Sequence, residues 1–143
     1  MNVDAILRAK GARVETARPD WTVLQAVQKL TEIGVGALVV SADGRRIAGI
    51  ISERDVMRQI AGGGTATLDK RVDEVMVSKV ITCTRSDTVT HLMTVMTEKR
   101  IRHLPVVEDG LMVGIVSIGD VVKRRIEETE FEAEALRQYI SAG

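Results

Sequence analysis

Cysteine occurs once, aromatic residues three times, and neither sign of charge prevails, with 20 Lys and Arg against 20 Asp and Glu. A lone Cys83 excludes an intrachain disulfide, and its Thr82-Cys83-Thr84 setting reads as a small buried strand residue in a reducing compartment. Trp21, Phe131 and Tyr139 are too few to form stacking platforms for single-stranded nucleic acid. With charge balanced and no block of one sign, electrostatics offers no reason for a nucleic-acid or anionic-membrane partner, so any anion site must be local. The start, Met1-Asn2-Val3-Asp4-Ala5-Ile6-Leu7-Arg8, lacks the basic and apolar regions of a secretory signal, and no apolar run reaches membrane-spanning length. A cytoplasmic protein without a membrane partner is expected.

Chemistry-bearing sets are equally sparse. His91 and His103 are the two histidines, with no cysteine pair, spaced histidine pair or carboxylate cluster between them, so no metal site is expected. Gly62-Gly63-Gly64 has no strand before it and no Lys after it, unlike a phosphate loop, and reads as flexible chain. Ser52 and Ser117 have no neighbouring base to activate them. These absences favour binding over turnover, and no catalytic residue is assigned.

What is present is a duplication. At 143 residues and 45% apolar content the chain suits one compact domain with a core of Val, Ile, Leu, Ala and Met. Gly49-Ile50-Ile51-Ser52-Glu53-Arg54-Asp55 recurs as Gly114-Ile115-Val116-Ser117-Ile118-Gly119-Asp120. Upstream, Val14-Glu15-Thr16 aligns with Val80-Ile81-Thr82, and Asp43-Gly44 with Asp109-Gly110, one residue being lost just after. Each half reads strand, helix, strand, turn, strand, helix. Val14 to Ala17 and Val80 to Thr84 are β-branched strands, and Asp20 or Ser86-Asp87 can cap the helices that follow. Val23, Ala26, Val27, Leu30 and Ile33 form one helical stripe, and Val89, Leu92, Met93 and Met96 another.

The Asp-Gly pairs predict hairpins, and Pro105 predicts an edge or bulge. Residues 1–61 form the first repeat, 62–71 a linker, 72–126 the second repeat and 127–143 a charged helical tail. Val3-Asp4-Ala5-Ile6-Leu7 and Val72-Asp73-Glu74-Val75-Met76 read as lead-ins, each to its own half. In the tail Ile126, Phe131, Leu136 and Tyr139 are candidate anchors against the body or a second subunit.

Ser-x-x-Asp after a strand has an ordinary role: the Ser caps the next helix and the Asp reaches back, worth about 1 kcal/mol. The same place also suits a nucleotide, since a helix N-terminus favours phosphate and a carboxylate can accept from both vicinal hydroxyls of a ribose. One residue set can do both.

These halves resemble tandem CBS (cystathionine β-synthase) domains, the paired repeat called a Bateman module, over Val3 to Lys123. The two Gly-to-Asp motifs carry the resemblance, with Arg100-Ile101-Arg102-His103-Leu104-Pro105-Val106-Val107 and its weaker partner Gly34-Val35-Gly36-Ala37-Leu38-Val39-Val40. The resemblance implies an α/β (α+β) fold of two pseudo-symmetric β-α-β-β-α repeats with small mixed sheets packed face to face. It also implies a regulatory module, assembled as a homodimer in a flat disk, that signals to an unidentified protein. Two clefts between the repeats would bind adenosine-containing ligands such as AMP, ADP, ATP, NAD(H) or S-adenosylmethionine. By position, one cleft would combine Ser52, Arg54 and Asp55 with Thr82, Thr84, Arg102, His103 and Pro105. The other would combine Ser117 and Asp120 with Thr16, Gly36 and Ala37.

Arg102 and His103 have no charged counterpart in Gly36 and Ala37, so the Asp55 cleft is expected to take the more phosphorylated ligand and the Asp120 cleft to bind weakly. The alternative is a ligand-free docking module that holds its partner through the C-terminal helix.

Overall fold

Thr22 and Thr88 each stop an extended segment and start a helix. The computed structural model describes residues 1–142. Its elements are α1 (Val3–Lys10), β1 (Thr16–Ala17), α2 (Val23–Ile33), β2 (Ala37–Val40), β3 (Gly49–Ser52), α3 (Glu53–Gly63) and a 3-10 helix (Gly64–Asp69). The second half supplies α4 (Val72–Val75), α5 (Val89–Lys99), β4 (His103–Glu108), β5 (Leu111–Ser117) and α6 (Ile118–Ala142). Helices and small sheets mix within each half, as the duplicated pattern predicts.

The caps differ from the expected ones. The Thr22 hydroxyl accepts from the Gln25 amide and the Gln25 side chain accepts from the Thr22 amide, a reciprocal box, while the Thr88 hydroxyl accepts from the His91 amide. Asp20 instead pairs with Arg18, and Asp87 accepts from the Thr84 amide to form the turn before α5. Both residues lie too far upstream to reach the first free helical amides.

β1 runs parallel to β2, and β2 antiparallel to β3, giving a three-stranded mixed sheet. β4 and β5 form an antiparallel pair joined by Asp109 and Gly110, at φ 53° and 77°. Two left-handed turn residues match the twist of the flanking strands. The first hairpin is looser: its chain leaves β2 at Val40 and re-enters at Gly49, with Asp43 accepting from the Arg45 and Arg46 amides.

The expected strand from Val80 to Thr84 is reduced to one parallel bridge between Cys83 and Val106. Pro105 explains the shortening. The Cys83 amide donates to the Pro105 carbonyl and the Val107 amide to the Cys83 carbonyl, but Pro105 has no N–H to extend the ladder toward Ile81. Val39 stands at this place in the first half, and there Thr16 and Ala17 pair as a strand.

Two cores result, and each contains the other half's lead-in. Val3, Ile6 and Leu7 of α1 pack with Leu92, Met96, Leu104, Val106, Val116 and Val121. Val72 and Val75 of α4 pack with Ala17, Val23, Leu30, Leu38, Ile51 and Val56. Hydrogen bonds repeat the exchange: Val3 N–H donates to the Asp87 carbonyl, and Val72 N–H to the Trp21 carbonyl. The expectation that each lead-in serves its own half is therefore corrected.

The glycine-rich segment also differs from the flexible chain expected. α3 runs through Gly62 and Gly63, and the 3-10 turn is held by a buried Thr67 whose hydroxyl donates to the Gln59 carbonyl at 3.1 Å. At the other end, α6 buries only Val121. Ile126, Phe131, Leu136 and Tyr139 are exposed, so none anchors the tail to the body. Within the tail Arg124–Glu127, Arg125–Glu128 and Arg137–Glu134 pair three residues apart, and the Met1 amino group reaches Glu128 at 2.9 Å.

Candidate functional site

Each β3-to-α3 and β5-to-α6 junction ends a strand on Ser and returns an Asp carboxylate to it. Asp55 Oδ2 accepts from the Ser52 amide at 3.0 Å and hydroxyl at 2.8 Å, and the Asp55 amide donates to the Ser52 hydroxyl at 3.2 Å. The second junction matches, with 2.9, 3.0 and 3.3 Å between Ser117 and Asp120. The capping role is thus real in both halves. In each cap the Asp Oδ1 has no hydrogen-bond partner among the described residues.

Strand pairing carries the other candidates to these junctions. Ala37 pairs with Ser52 and His103 with Ser117. The Glu53 amide donates to the Gly36 carbonyl at 3.0 Å, and the Ile118 amide to the Arg102 carbonyl at 2.8 Å. Gly36 and His103, assigned to different clefts by their sequence positions, come together: a Cβ built on Gly36 would lie 3.7 Å from His103 Cε1 and 3.3 Å from Glu53 Oε1. Pro105 is buried in β4, and Thr16 is half-buried in β1. Thr82 and Thr84 are exposed beside buried Cys83, and no hydrogen bond joins them to Ser52, Arg54 or Asp55 among the described residues.

Arg54 and Arg102 converge from different halves. With Arg100 they line a groove of about 420 Å³ closed by Met96, Thr97, Ile101 and Ile118. Among the described residues none of the three guanidiniums forms an ion pair. Three unpaired forks of donors, from the first turn of α3, the end of α5 and the approach to β4, suit phosphate oxygens. A larger hollow of about 740 Å³ lies between α6 and the start of α5, but Glu127, Glu128 and Glu132 line it and make it a poor phosphate site.

A cation missed in the sequence stands in the second cleft. Lys10 Nζ donates to Asp120 Oδ2 at 2.7 Å and to the Ile115 carbonyl at 3.1 Å. Burial alone would raise the Asp120 carboxyl, but Lys10 and the Ser117 amide outweigh it and hold the group below its ordinary value. Burial pushes the His103 imidazole down; Lys10 and Arg102 act the same way, against Asp120 and Glu53. The only sequence sign of Lys10 is its place at the end of α1, where a basic residue ordinarily complements the helix dipole.

No cluster of three or more metal-ligating side chains exists among the described residues, and no described helix is long and apolar enough to cross a membrane. The groups present can accept from hydroxyls, donate to anions and cap helices.

Known proteins share this fold. Residues 10–62 and 72–127 match the CBS domain family. The CBS domain-containing protein CBSX3, mitochondrial, of Arabidopsis thaliana is 38% identical over 99% of this chain and 72% of its own length. The crystal structure of the CBS-domain containing protein ATU1752 from Agrobacterium tumefaciens superposes with a TM-score of 0.84 at 42% identity, covering 87% of this chain and 99% of that one. The CBS domain pair of protein MJ0100, in complex with 5-methylthioadenosine and S-adenosyl-L-methionine, gives 0.77 at 25% identity, covering 90% and 98%. With two matched repeats, a relative matched over nearly the whole of this chain and this shared architecture, the chain belongs to the CBS domain family as a tandem pair.

Proposed function

We propose that this CBS pair is a non-catalytic sensor of a phosphorylated adenosine compound, AMP, ADP, ATP or NAD(H), and that the Asp55 cleft is its binding site. One observation carries the reading: the groove in which Arg54, Arg100 and Arg102 converge without ion-pair partners. Its volume of about 420 Å³ falls in the range of about 300–1,000 Å³ common for small-molecule pockets. In this reading the guanidiniums take phosphate oxygens, and the free Asp55 Oδ1 accepts from the ribose. Thr82, Thr84 and Pro105 are assigned to this cleft and Ser117, Asp120 and Thr16 to the weaker second one, while His103, paired with Ser117, and Gly36 and Ala37, beside Glu53 and Ser52, stand between the two. The adenosine-derived ligands of the MJ0100 pair support the ligand class.

The ligand bridges the halves and signals to a partner through its preference for one of two arrangements. We place the protein in a reducing compartment such as the cytoplasm, as a homodimer. Thermal-shift measurements with AMP, ADP, ATP, NADH and S-adenosylmethionine test the reading. Stabilisation by the phosphorylated members is expected, and no shift with any of them would refute it.

A second reading rests on the exposed Phe131, Leu136, Tyr139 and Ile140 of α6, at 59–79% exposure. A partner would dock there without any ligand, and this reading requires loss of partner capture on deletion of residues 124–143 and no nucleotide response.

A further inference from the structure

We propose that Lys10 makes the two clefts unequal, by holding the Asp120 carboxylate so that one chain binds one nucleotide, at Asp55. The inference rests on the nucleotide-binding reading and names its site selectivity.

The two caps differ little in their own geometry, so the Ser-x-x-Asp motif itself does not discriminate between them. The difference arrives from outside. Asp55 Oδ2 accepts from the Ser52 amide and hydroxyl alone, whereas Asp120 Oδ2 accepts from Ser117 twice and from Lys10 at 2.7 Å. Lys10 is itself steered, since its ammonium also donates to the Ile115 carbonyl and its side chain is only 33% exposed. A ribose held by a carboxylate benefits from its negative charge and from the acceptor capacity left on its oxygens. At Asp120 one oxygen already holds three donors and the charge is neutralised.

Helix length explains why the first cleft escapes. Leu7 packs on Gly114 as Met76 packs on Gly49: a Cβ built on either glycine would meet the facing side chain at 2.6 Å. Three residues beyond these equivalent contacts stand Lys10 and Lys79. α1 continues to Lys10 and delivers it to Asp120. α4 stops at Val75, because Val77 leaves the helix to exchange two backbone hydrogen bonds of 2.9 Å with Ile50. Lys79 is consequently exposed and makes no ion pair among the described residues. A lysine follows both lead-ins, but only one is placed on a carboxylate.

Calorimetric titration of the full chain with ATP and with AMP tests this. The wild type and Lys10→Arg should each bind one equivalent, and Lys10→Met and Lys10→Gln two. Adding Asp120→Ala to Lys10→Met should return the count to one, and Asp55→Ala alone should reduce it to none. Two equivalents in the wild type, or one in both neutral variants, would overturn the role of Lys10 while leaving nucleotide binding intact. No binding by any of these proteins would overturn the proposal together with the functional reading beneath it.

Discussion

Arg100 closes α5 at φ 55°, ψ 44°, the left-handed conformation that Gly34 adopts at φ 75°, ψ 38° at the end of α2. A side chain in that region costs about 1–2 kcal/mol relative to glycine, which adopts it freely. The strained residue is also the third guanidinium of the inter-repeat groove. Arg100→Gly should therefore raise the melting temperature of the unliganded protein by about 2–4 °C and weaken ATP more than adenosine. Thermal unfolding and calorimetry check the two effects, and unchanged ATP affinity would leave Arg100 only a structural position.

Glycine at the head of each Ser-x-x-Asp motif permits close approach of a lead-in helix. A Cβ on Gly49 would lie 2.6 Å from Met76 Sδ and 2.8 Å from the Val77 carbonyl, whereas one on Gly114 would meet only the Leu7 side chain. A side chain can rotate aside more readily than a backbone carbonyl. Gly49→Ala and Gly114→Ala should both destabilise, by about 1–3 kcal/mol, with Gly49→Ala the worse. Urea midpoints of the two variants give the order.

His103 ties stability to pH. Burial, Lys10 and Arg102 hold its imidazole below the ordinary value, against Asp120 and Glu53, so the unfolded chain takes up its proton first as pH falls. The stability linked to neutral His103 is complete above about pH 6.5 and declines as pH drops toward the folded-state value, by at most about 1.4 kcal/mol per pH unit. His103→Gln should flatten this dependence just below about pH 6.5, ahead of the carboxylates. Equal slopes for wild type and variant in denaturant titrations would exclude the assignment.

Burial pushes the Cys83 thiol up to about 12, with Asp87 adding in the same direction. Thiolate is the reactive form, so Cys83 should resist disulfide reagents at pH 8 in the folded protein. Labelling should become complete in denaturant, as followed by absorbance, and rapid labelling under native conditions would contradict the burial.

The helices were legible in the sequence because their signals are local. Val23 to Ile33 and Val89 to Met96 carry the apolar period, and the duplication was visible in the spacing of two glycine-led motifs. The exchange of α1 and α4 was not, because Leu7 and Met76 are apolar residues that would fit either core, and each core offers an equivalent facing glycine. Within the site, the Ser-Asp caps and the pairing of Arg54 with Arg102 followed from motif positions. Arg100 had a readable signal, since it aligns with Gly34 at a helix end. Lys10 had only its place at the end of α1, which does not reveal the ion pair, because one long-range contact depends on how far α1 runs before it breaks.

The exchanged lead-in helices also bear on what the duplication permits mechanically. Two copied units on a hinge could swing apart or melt one after the other. Here each unit borrows a helical piece of its interior from its sibling, so separating them would strip Val3, Ile6 and Leu7 from one core and Val72 and Val75 from the other. The halves share their interiors despite their repeated sequence. Any rearrangement between the halves must therefore be a shift within a shared interior rather than the opening of a clam.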